Sequence, residues 1–170
     1  MSKSRASPRS RPSNARGLRT GITGSGGFTL VELLITIAII LTLCAIAVPN
    51  LMAAINQARI ARAVGDIRSI GDGIIEYEFT HNAFPNTLAE AGYGSNRDPW
   101  GNPYQYLNFD DAHGKGEMRK DRFLVPINTY FDLYSMGPDG KSVSPLTAQA
   151  SHDDIIWAND GAFVGPASQY

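Results

Sequence analysis

The sequence predicts an α+β fold in which a long N-terminal α-helix packs on a small antiparallel β-sheet. Two observations predict this fold. An apolar run from Phe28 to Val48 is followed by a mainly apolar stripe at three- and four-residue steps as far as Ile74, which is the helical period. Beyond Phe84-Pro85 the sequence changes to short runs of β-branched and aromatic residues bounded by turn signals, which is typical of strands.

The chain has a basic beginning and an acidic remainder. Six Lys and Arg residues and no acidic residue precede Phe28, whereas nine basic and sixteen acidic residues follow it, for a net charge of −7. Residues 1–27 are rich in Ser, Arg, Pro and Gly and hold few apolar residues, so we expect a disordered leader. The positive-inside rule keeps such a leader in the cytoplasm and places the acidic part on the other side of a membrane.

The apolar run, residues 28–48, has about the length that an α-helix needs to cross a bilayer. The alternative is a secretory signal peptide, with Ala45, Ala47 and Pro49 as a loose imitation of its cleavage site. Such a peptide usually has a shorter apolar core, and the small residues here precede the run instead of following it. The single cysteine, Cys44, lies in the run, which excludes an intramolecular disulfide.

We expect the helix to extend beyond the membrane segment, from about Phe28 to about Thr80, with a kink near Pro49 because proline interrupts helical hydrogen bonding. Residues 49–82 form its amphipathic half, and an apolar stripe of this kind needs a partner surface. Residues 83–170 can supply that surface as an exported α+β domain.

The predicted strands of this domain are 103–108, 122–127, 130–136 and 155–158. Asn128-Thr129 is a candidate hairpin turn between the second and third strands. The polar stretches 110–121 and 142–151 are expected to be loops.

Catalysis and nucleic-acid binding are not predicted. The three histidines are far apart and lack Cys or His neighbours at metal-ligand spacing, and the common hydrolase and phosphate-loop motifs are absent from the sequence. Arg119, Lys120 and Arg122 form a basic cluster that Glu117 and Asp121 partly balance, which favours a solvated loop over a nucleic-acid patch.

Residues 27–32 read Gly-Phe-Thr-Leu-Val-Glu, after a basic leader and at the start of a membrane-length apolar run. This arrangement resembles the signature of type IV pilins and implies the pilin fold. The resemblance implies that a prepilin peptidase cuts after Gly27 on the cytoplasmic side and that the new N-terminal Phe28 is N-methylated. It makes Glu32 the family's glutamate at the fifth mature position and places Pro49 where many members have a helix-breaking proline.

A carboxylate such as that of Glu32 costs several kcal/mol in a membrane helix unless it is paired or neutralised. The sequence has no Lys or Arg between Phe28 and Arg59 that could pair with it. The nearest cation would be the α-amino group of Phe28 after cleavage, and in a filament it could come from a neighbouring subunit. We therefore expect Glu32 to act in assembly; the alternative is a glutamate near the helix end that is protonated or reaches the headgroups.

Three later stretches resemble the major pseudopilins of type II secretion. They are Asp-Pro-Trp-Gly-Asn-Pro-Tyr-Gln-Tyr at 98–106, Asp-Leu-Tyr-Ser-Met-Gly-Pro-Asp-Gly at 132–140 and Asp-Asp-Ile-Ile-Trp at 153–157. The resemblance implies a non-enzymatic subunit, anchored in the inner membrane by one span with its C-terminal domain in the periplasm. Copies of it would polymerise into a pseudopilus that drives secretion across the outer membrane. Its other partners would be minor pseudopilins, the prepilin peptidase and an inner-membrane assembly platform.

Two alternatives keep parts of this interpretation. In the first, the filament is a surface pilus for adhesion, motility or DNA uptake; the lack of a disulfide and the stretch 98–106 weigh against it. In the second, the chain is a membrane-anchored binding module that does not polymerise. The second alternative predicts that Glu32 and the Gly27-Phe28 junction are dispensable.

The resemblance also implies a calcium ion in the loop that ends at 153–154. Calcium takes six to eight oxygen ligands. The implied ligands are the side chains of Asp139, Asp153 and Asp154, the carbonyl of Met136 and an oxygen of Ser135. The sequence departs from the family here, because the loop is longer and less polar than usual. The stretches 108–121 and 161–170 have no clear family counterpart.

Overall fold

The computed structural model describes residues 26–170. The predicted disorder of the leader falls on residues 1–27 and so lies almost entirely outside the described residues. The chain divides into two units, Met1–Leu43 and Cys44–Tyr170. The sheet and the apolar clusters described below belong to the second unit.

Helix α1 runs from Leu30 to His81 and confirms the predicted long helix. It continues through Pro49 as α-helix, and the predicted kink there stays a prediction. The helix ends where Asn82 adopts a positive φ of 57° and its N–H donates to the carbonyl of Glu78. Asn tolerates this left-handed conformation better than most residues, so it is a suitable residue to end a helix.

Four strands form one antiparallel sheet in the order β1-β2-β3-β4: β1 (Gln105–Asn108), β2 (Phe131–Ser135), β3 (Ile155–Ala158) and β4 (Phe163–Pro166). The fold is therefore the predicted α+β, pilin-like arrangement of a long helix and a small antiparallel sheet. Three of the four predicted strands are confirmed, with β1 shorter than expected.

The predicted strand at 122–127 is wrong. The segment begins with a tight turn in which the Leu124 N–H donates to the carbonyl of Asp121, and Arg122 has a positive φ of 47°. Phe123 is fully exposed, so the apolar side chains of this segment do not alternate between a core and solvent as those of a strand would. The predicted hairpin at Asn128-Thr129 is therefore also wrong, because it has a strand on one side only.

Strand β4 was not predicted. It lies at the edge of the sheet, where Trp157 pairs with Val164 and Ile155 with Pro166. An edge position tolerates Pro166, which has no N–H to donate. The same proline, together with Gly165, hides the strand in the sequence because both residues are rare within strands.

Strand β3 is buried on both faces. On one face, Ile155 and Trp157 join the main core with a stripe of α1. The members of this stripe are Ala63, Ile67, Ile70 and Ile74. On the other face, Ile156 and Ala158 join a second cluster. That cluster is completed by residues outside the strands: Ile127, Leu146 and Ala167. The predicted apolar stripe of α1 is thus confirmed from Ala63 onward, whereas Met52 and Ile55 are exposed.

Gly71 lets α1 approach β3 closely. It is buried, and a Cβ atom at this position would collide with the indole ring of Trp157. Gly65, six residues earlier in the same helix, is exposed and has open space around the position of a Cβ. The two glycines therefore separate the effect of packing from that of helix propensity.

We expect Gly71→Ala to destabilise the protein by about 1–2 kcal/mol, because the clash outweighs the gain in helix propensity. Gly65→Ala, the matched control, should stabilise it by roughly 0.5–1 kcal/mol. Denaturant unfolding of the full chain in detergent, followed by tryptophan fluorescence, measures both. Equal effects of the two substitutions would show that α1 does not contact Trp157 at this position.

Candidate functional site

The predicted cleavage junction lies in an exposed segment just before α1. Residues 26–29 have no regular secondary structure, and Phe28 is 87 % exposed. A peptide bond in an irregular, exposed segment is accessible to a peptidase, whereas a bond within a helix is less accessible. The position of the Gly27-Phe28 bond is therefore compatible with processing, which stays a prediction.

Thr29 and Glu32 form a capping box at the start of α1. The Glu32 N–H donates to the Thr29 hydroxyl oxygen over 3.1 Å, and the Thr29 N–H donates to Glu32 Oε2 over 3.0 Å. The Thr29 hydroxyl also donates to Oε2 over 3.0 Å. These bonds satisfy backbone donors that the first turn of a helix leaves free. The capping box was not predicted, although its sequence signal is Thr-x-x-Glu before an apolar run.

The capping box changes the interpretation of Glu32. The carboxylate was expected to have no partner in its own chain. It has hydrogen-bond donors there, in Thr29. Hydrogen bonds from neutral groups do not neutralise its charge, however. Within residues 26–170, no Lys, Arg or His lies within salt-bridge distance of Glu32.

The first part of α1 has no cover from the described chain. Helix α1 is the one described helix that is long and apolar enough to cross a membrane, and its most apolar 18 residues are unburied. Large apolar side chains such as Leu30, Leu33 and Ile40 are more than half exposed. An exposed apolar surface of this kind is typical of a site that contacts lipid or another protein. Pro49, predicted to act in assembly, lies within α1 and is exposed.

Asp98 organises the turn that begins the 98–106 stretch. Its side chain is buried, and Oδ1 accepts hydrogen bonds from the N–H groups of Trp100 and Asn102 over 3.0 and 2.8 Å. Oδ2 accepts a bond of 2.6 Å from the hydroxyl of Ser135, at the end of β2. Ser135 Oγ in turn accepts from the Gly137 N–H over 3.1 Å. The Ser135 side chain, expected as a calcium ligand, is thus engaged in holding this turn.

We expect Asp98→Ala to cost about 2–4 kcal/mol of stability, because it leaves three hydrogen-bond donors without their acceptor in a buried site. Asp72→Ala, a change of an exposed aspartate on α1, serves as control and should change stability by about 0.5 kcal/mol or less. Chemical denaturation of both variants gives the comparison. A loss for Asp98→Ala no greater than that for Asp72→Ala would contradict the assigned role.

Asp139 and Asp153 lie close together across the loop of residues 139–154, the acidic loop. The Asp139 N–H donates to Asp153 Oδ2 over 3.3 Å, and Asp139 Oδ1 accepts from the Lys141 N–H over 2.8 Å. Gly137, with a positive φ of 63°, has the Asp153 carbonyl against it and leaves no room there for a Cβ. Met136 directly follows β2 and precedes this contact. The structure therefore brings together two of the three predicted carboxylates.

The third carboxylate, Asp154, is fully buried and paired with a cation. Arg119 Nη2 forms an ion pair with Asp154 Oδ2, and the Ser142 hydroxyl donates to the same oxygen over 2.5 Å. Burial raises the pKa of Asp154 to about 6, and the Ser142 hydrogen bond and the Arg119 charge oppose that shift. The other oxygen, Oδ1, is also buried and has no hydrogen-bond partner among the described residues.

The donor set does not fit calcium as predicted. Among residues 26–170, no group of three or more His, Cys, Asp or Glu side chains is placed to hold a metal ion. Ser135 is bonded to Asp98, and Asp154 is bonded to Arg119. Asp139 and Asp153 remain as neighbouring carboxylates, so calcium binding by this loop stays a prediction without a complete ligand set. Arg119, predicted to lie in a solvated loop, is buried instead.

An uncovered apolar N-terminal helix segment, preceded by the Gly-Phe junction, and an antiparallel sheet packed on the later part of the helix define a type IV pilin-like subunit. A family model, the prokaryotic N-terminal methylation motif, matches residues 22–48. The chain belongs to the family of type II secretion system core protein G, the pseudopilins of type II secretion. Members of this family are structural subunits and not enzymes.

The family assignment rests on relatives that the chain matches over most of their length. The type II secretion system core protein G of Pseudomonas aeruginosa is 34 % identical over 137 residues, which cover 68 % of this chain and 84 % of the relative. The proteins of the same name from Escherichia coli and Aeromonas hydrophila are 32 % and 30 % identical. These matches cover 68 % of this chain in both cases, and 83 % and 85 % of the relatives. No solved structure matches the chain significantly.

Proposed function

We propose that this chain is a structural subunit that polymerises into a periplasmic pseudopilus and so drives type II protein secretion across the outer membrane. One observation carries the proposal: the first part of α1 is apolar and unburied in the described structure, at the position where the family model matches. A bilayer covers this surface before assembly, and the same segments of neighbouring subunits cover it in the filament. The membrane is the bacterial inner membrane, and the second unit lies in the periplasm.

The proposed passage of the subunit from the bilayer into the filament requires several partners. The prepilin peptidase acts first, at the exposed Gly27-Phe28 bond, and Phe28 becomes the methylated N-terminus. An inner-membrane assembly platform then takes subunits from the bilayer into the filament, together with minor pseudopilins. The basic residues before Phe28 support this orientation, because they hold the leader on the cytoplasmic side.

Glu32 has two roles in this proposal. In the chain itself its carboxylate caps α1 through Thr29. In the filament its negative charge attracts the α-amino group of Phe28 of an adjacent subunit. The attraction is strong because the surroundings are apolar, where a charge without a counter-charge is costly.

Glu32→Gln separates these roles, because glutamine also completes a capping box but carries no charge. We expect the variant to reach the membrane in normal amounts, to be processed, and to form at least about tenfold fewer filaments, since roughly 1.4 kcal/mol of lost interaction per contact suffices for that change. Electron microscopy of sheared filaments and immunoblotting of membranes measure the two quantities.

The matched control is Thr29→Ser, which keeps both the capping hydroxyl and Glu32 and should form filaments normally. Normal filament formation by Glu32→Gln would show that the glutamate serves only as a helix cap. It would also favour a subunit whose assembly does not depend on this charge.

Processing makes a separate prediction. The intact mass of the membrane protein should correspond to loss of residues 1–27 and gain of one methyl group. In cells that lack the prepilin peptidase, the full precursor should accumulate, which is the control. A mature protein that retains its leader in cells with an active peptidase would contradict the proposal.

A further inference from the structure

Arg119 comes from a stretch without a clear counterpart in the pseudopilin pattern, yet it is one of the most buried charged residues described. Only 3 % of it is exposed. Its N–H is fixed to β2, because it donates to Asp132 Oδ2 over 2.6 Å, and its carbonyl accepts from the N–H of Ile127, outside the strands, over 3.2 Å. The guanidinium carbon lies 4.2 Å from the centre of the Tyr134 ring, a cation–π contact.

The guanidinium reaches into the acidic loop and binds three of its residues. It pairs with Asp154, donates to the Ser142 hydroxyl, and donates to the Val143 carbonyl over 2.8 Å. Ser151 closes the same loop: its hydroxyl donates to the Val143 carbonyl over 2.7 Å and accepts from the Val143 N–H over 2.9 Å. The guanidinium of Arg119 therefore binds the acidic loop near its start, at Ser142 and Val143, and at its end, at Asp154.

We propose that Arg119 takes the place that a calcium ion would occupy in ordering this loop, so that the subunit folds without a divalent cation. The oxygens that Arg119 binds belong to a carboxylate, a backbone carbonyl and a hydroxyl. Carboxylates and backbone carbonyls are typical calcium ligands. The planar guanidinium can bind several such oxygens at once and does not lose its charge. The guanidinium of Arg119 therefore replaces the metal ion in this loop.

The remaining oxygen, Asp154 Oδ1, is the atom at which a metal could compete. A divalent ion on this oxygen would share the carboxylate with the guanidinium, and the two positive charges would repel each other. Asp139 and Asp153 are the only other carboxylates of the acidic loop, and they are bonded to its backbone N–H groups. The described geometry therefore favours the arginine over calcium at Asp154.

The first test uses the full wild-type chain purified in detergent and treated with a chelator. We expect its melting temperature, followed by tryptophan fluorescence, to be the same with chelator and with about 1 mM calcium, a concentration that fills most extracellular calcium sites. A fall on chelation that calcium reverses by several degrees would overturn the proposal, since binding to the native state alone must raise the melting temperature.

The second test uses Arg119→Met, which keeps the length of the side chain and removes the charge. Its melting temperature should fall by on the order of 10 °C, because Asp154 is left as a buried charge without a partner. Adding Asp154→Asn should recover at least about half of that loss, since the double variant no longer has this charge. Arg122→Met, at an exposed arginine three residues away, is the matched control and should change the melting temperature by about 2 °C or less.

Two results of the second test would also overturn the proposal. One is a loss in Arg119→Met no greater than that in Arg122→Met. The other is a double variant no more stable than Arg119→Met alone. If Arg119→Met does not fold, the same comparison asks whether adding Asp154→Asn restores folding. All of these measurements concern the stability of the subunit, so their outcome is independent of whether the chain forms filaments.

Discussion

Strand β3 is buried on both faces, and most of the second unit is arranged to meet that requirement. A strand with four apolar residues in succession needs an apolar layer on each side. Helix α1 supplies one layer, where Gly71 allows the helix backbone to lie close to Trp157. The other layer consists of segments without strands or long helices, which bring Ile127 and Leu146 against the sheet.

The second layer explains why polar contacts carry so much of this fold. Irregular segments cannot satisfy their backbone groups among themselves as helices and sheets do, so side chains must do it. Arg119 and Ser151 perform this function for the backbone of Val143. Asp98 performs it for two backbone N–H groups of its own turn. These groups are buried, and a buried polar group stabilises only when its partner is present. The loops are therefore held in one arrangement without a disulfide.

The two parts of helix α1 differ in what covers their apolar side chains. The apolar clusters of the second unit draw on α1 only from Ile60 onward. The earlier residues contribute nothing to those clusters. In the proposed function, such a subunit exchanges lipid around the start of α1 for other subunits without disturbing its own core. This separation of the assembly surface from the folded core is what a polymerising membrane protein requires.

Elements with a local sequence signal are predicted correctly, whereas elements and contacts that depend on burial are not. The 3.6-residue period gave the position of α1, and alternating or continuous apolar runs gave β1 to β3. The run 122–127 has strand-like composition, but no layer covers Phe123. Ser135 and Asp154 were predicted as calcium ligands because a sequence shows which oxygens exist, not which donors already bind them. The partner of Asp154 is Arg119, 35 residues away. The burial of Arg119 depends on tertiary packing, which neither its neighbours in the sequence nor its charge indicate.

The capping box and the proposed intersubunit role of Glu32 are compatible on physical grounds. The hydrogen bonds from Thr29 fix the carboxylate in the first turn of α1, but their donors are neutral, so the negative charge remains. In hydrocarbon that charge still carries a large desolvation cost, which only a cation or protonation removes. Cleavage after Gly27 would create an amine directly before Thr29, so each subunit would present an oriented acid and a cation at the same end of the helix. The cap sets the position of the acid, and the uncompensated charge makes a second subunit the favourable partner.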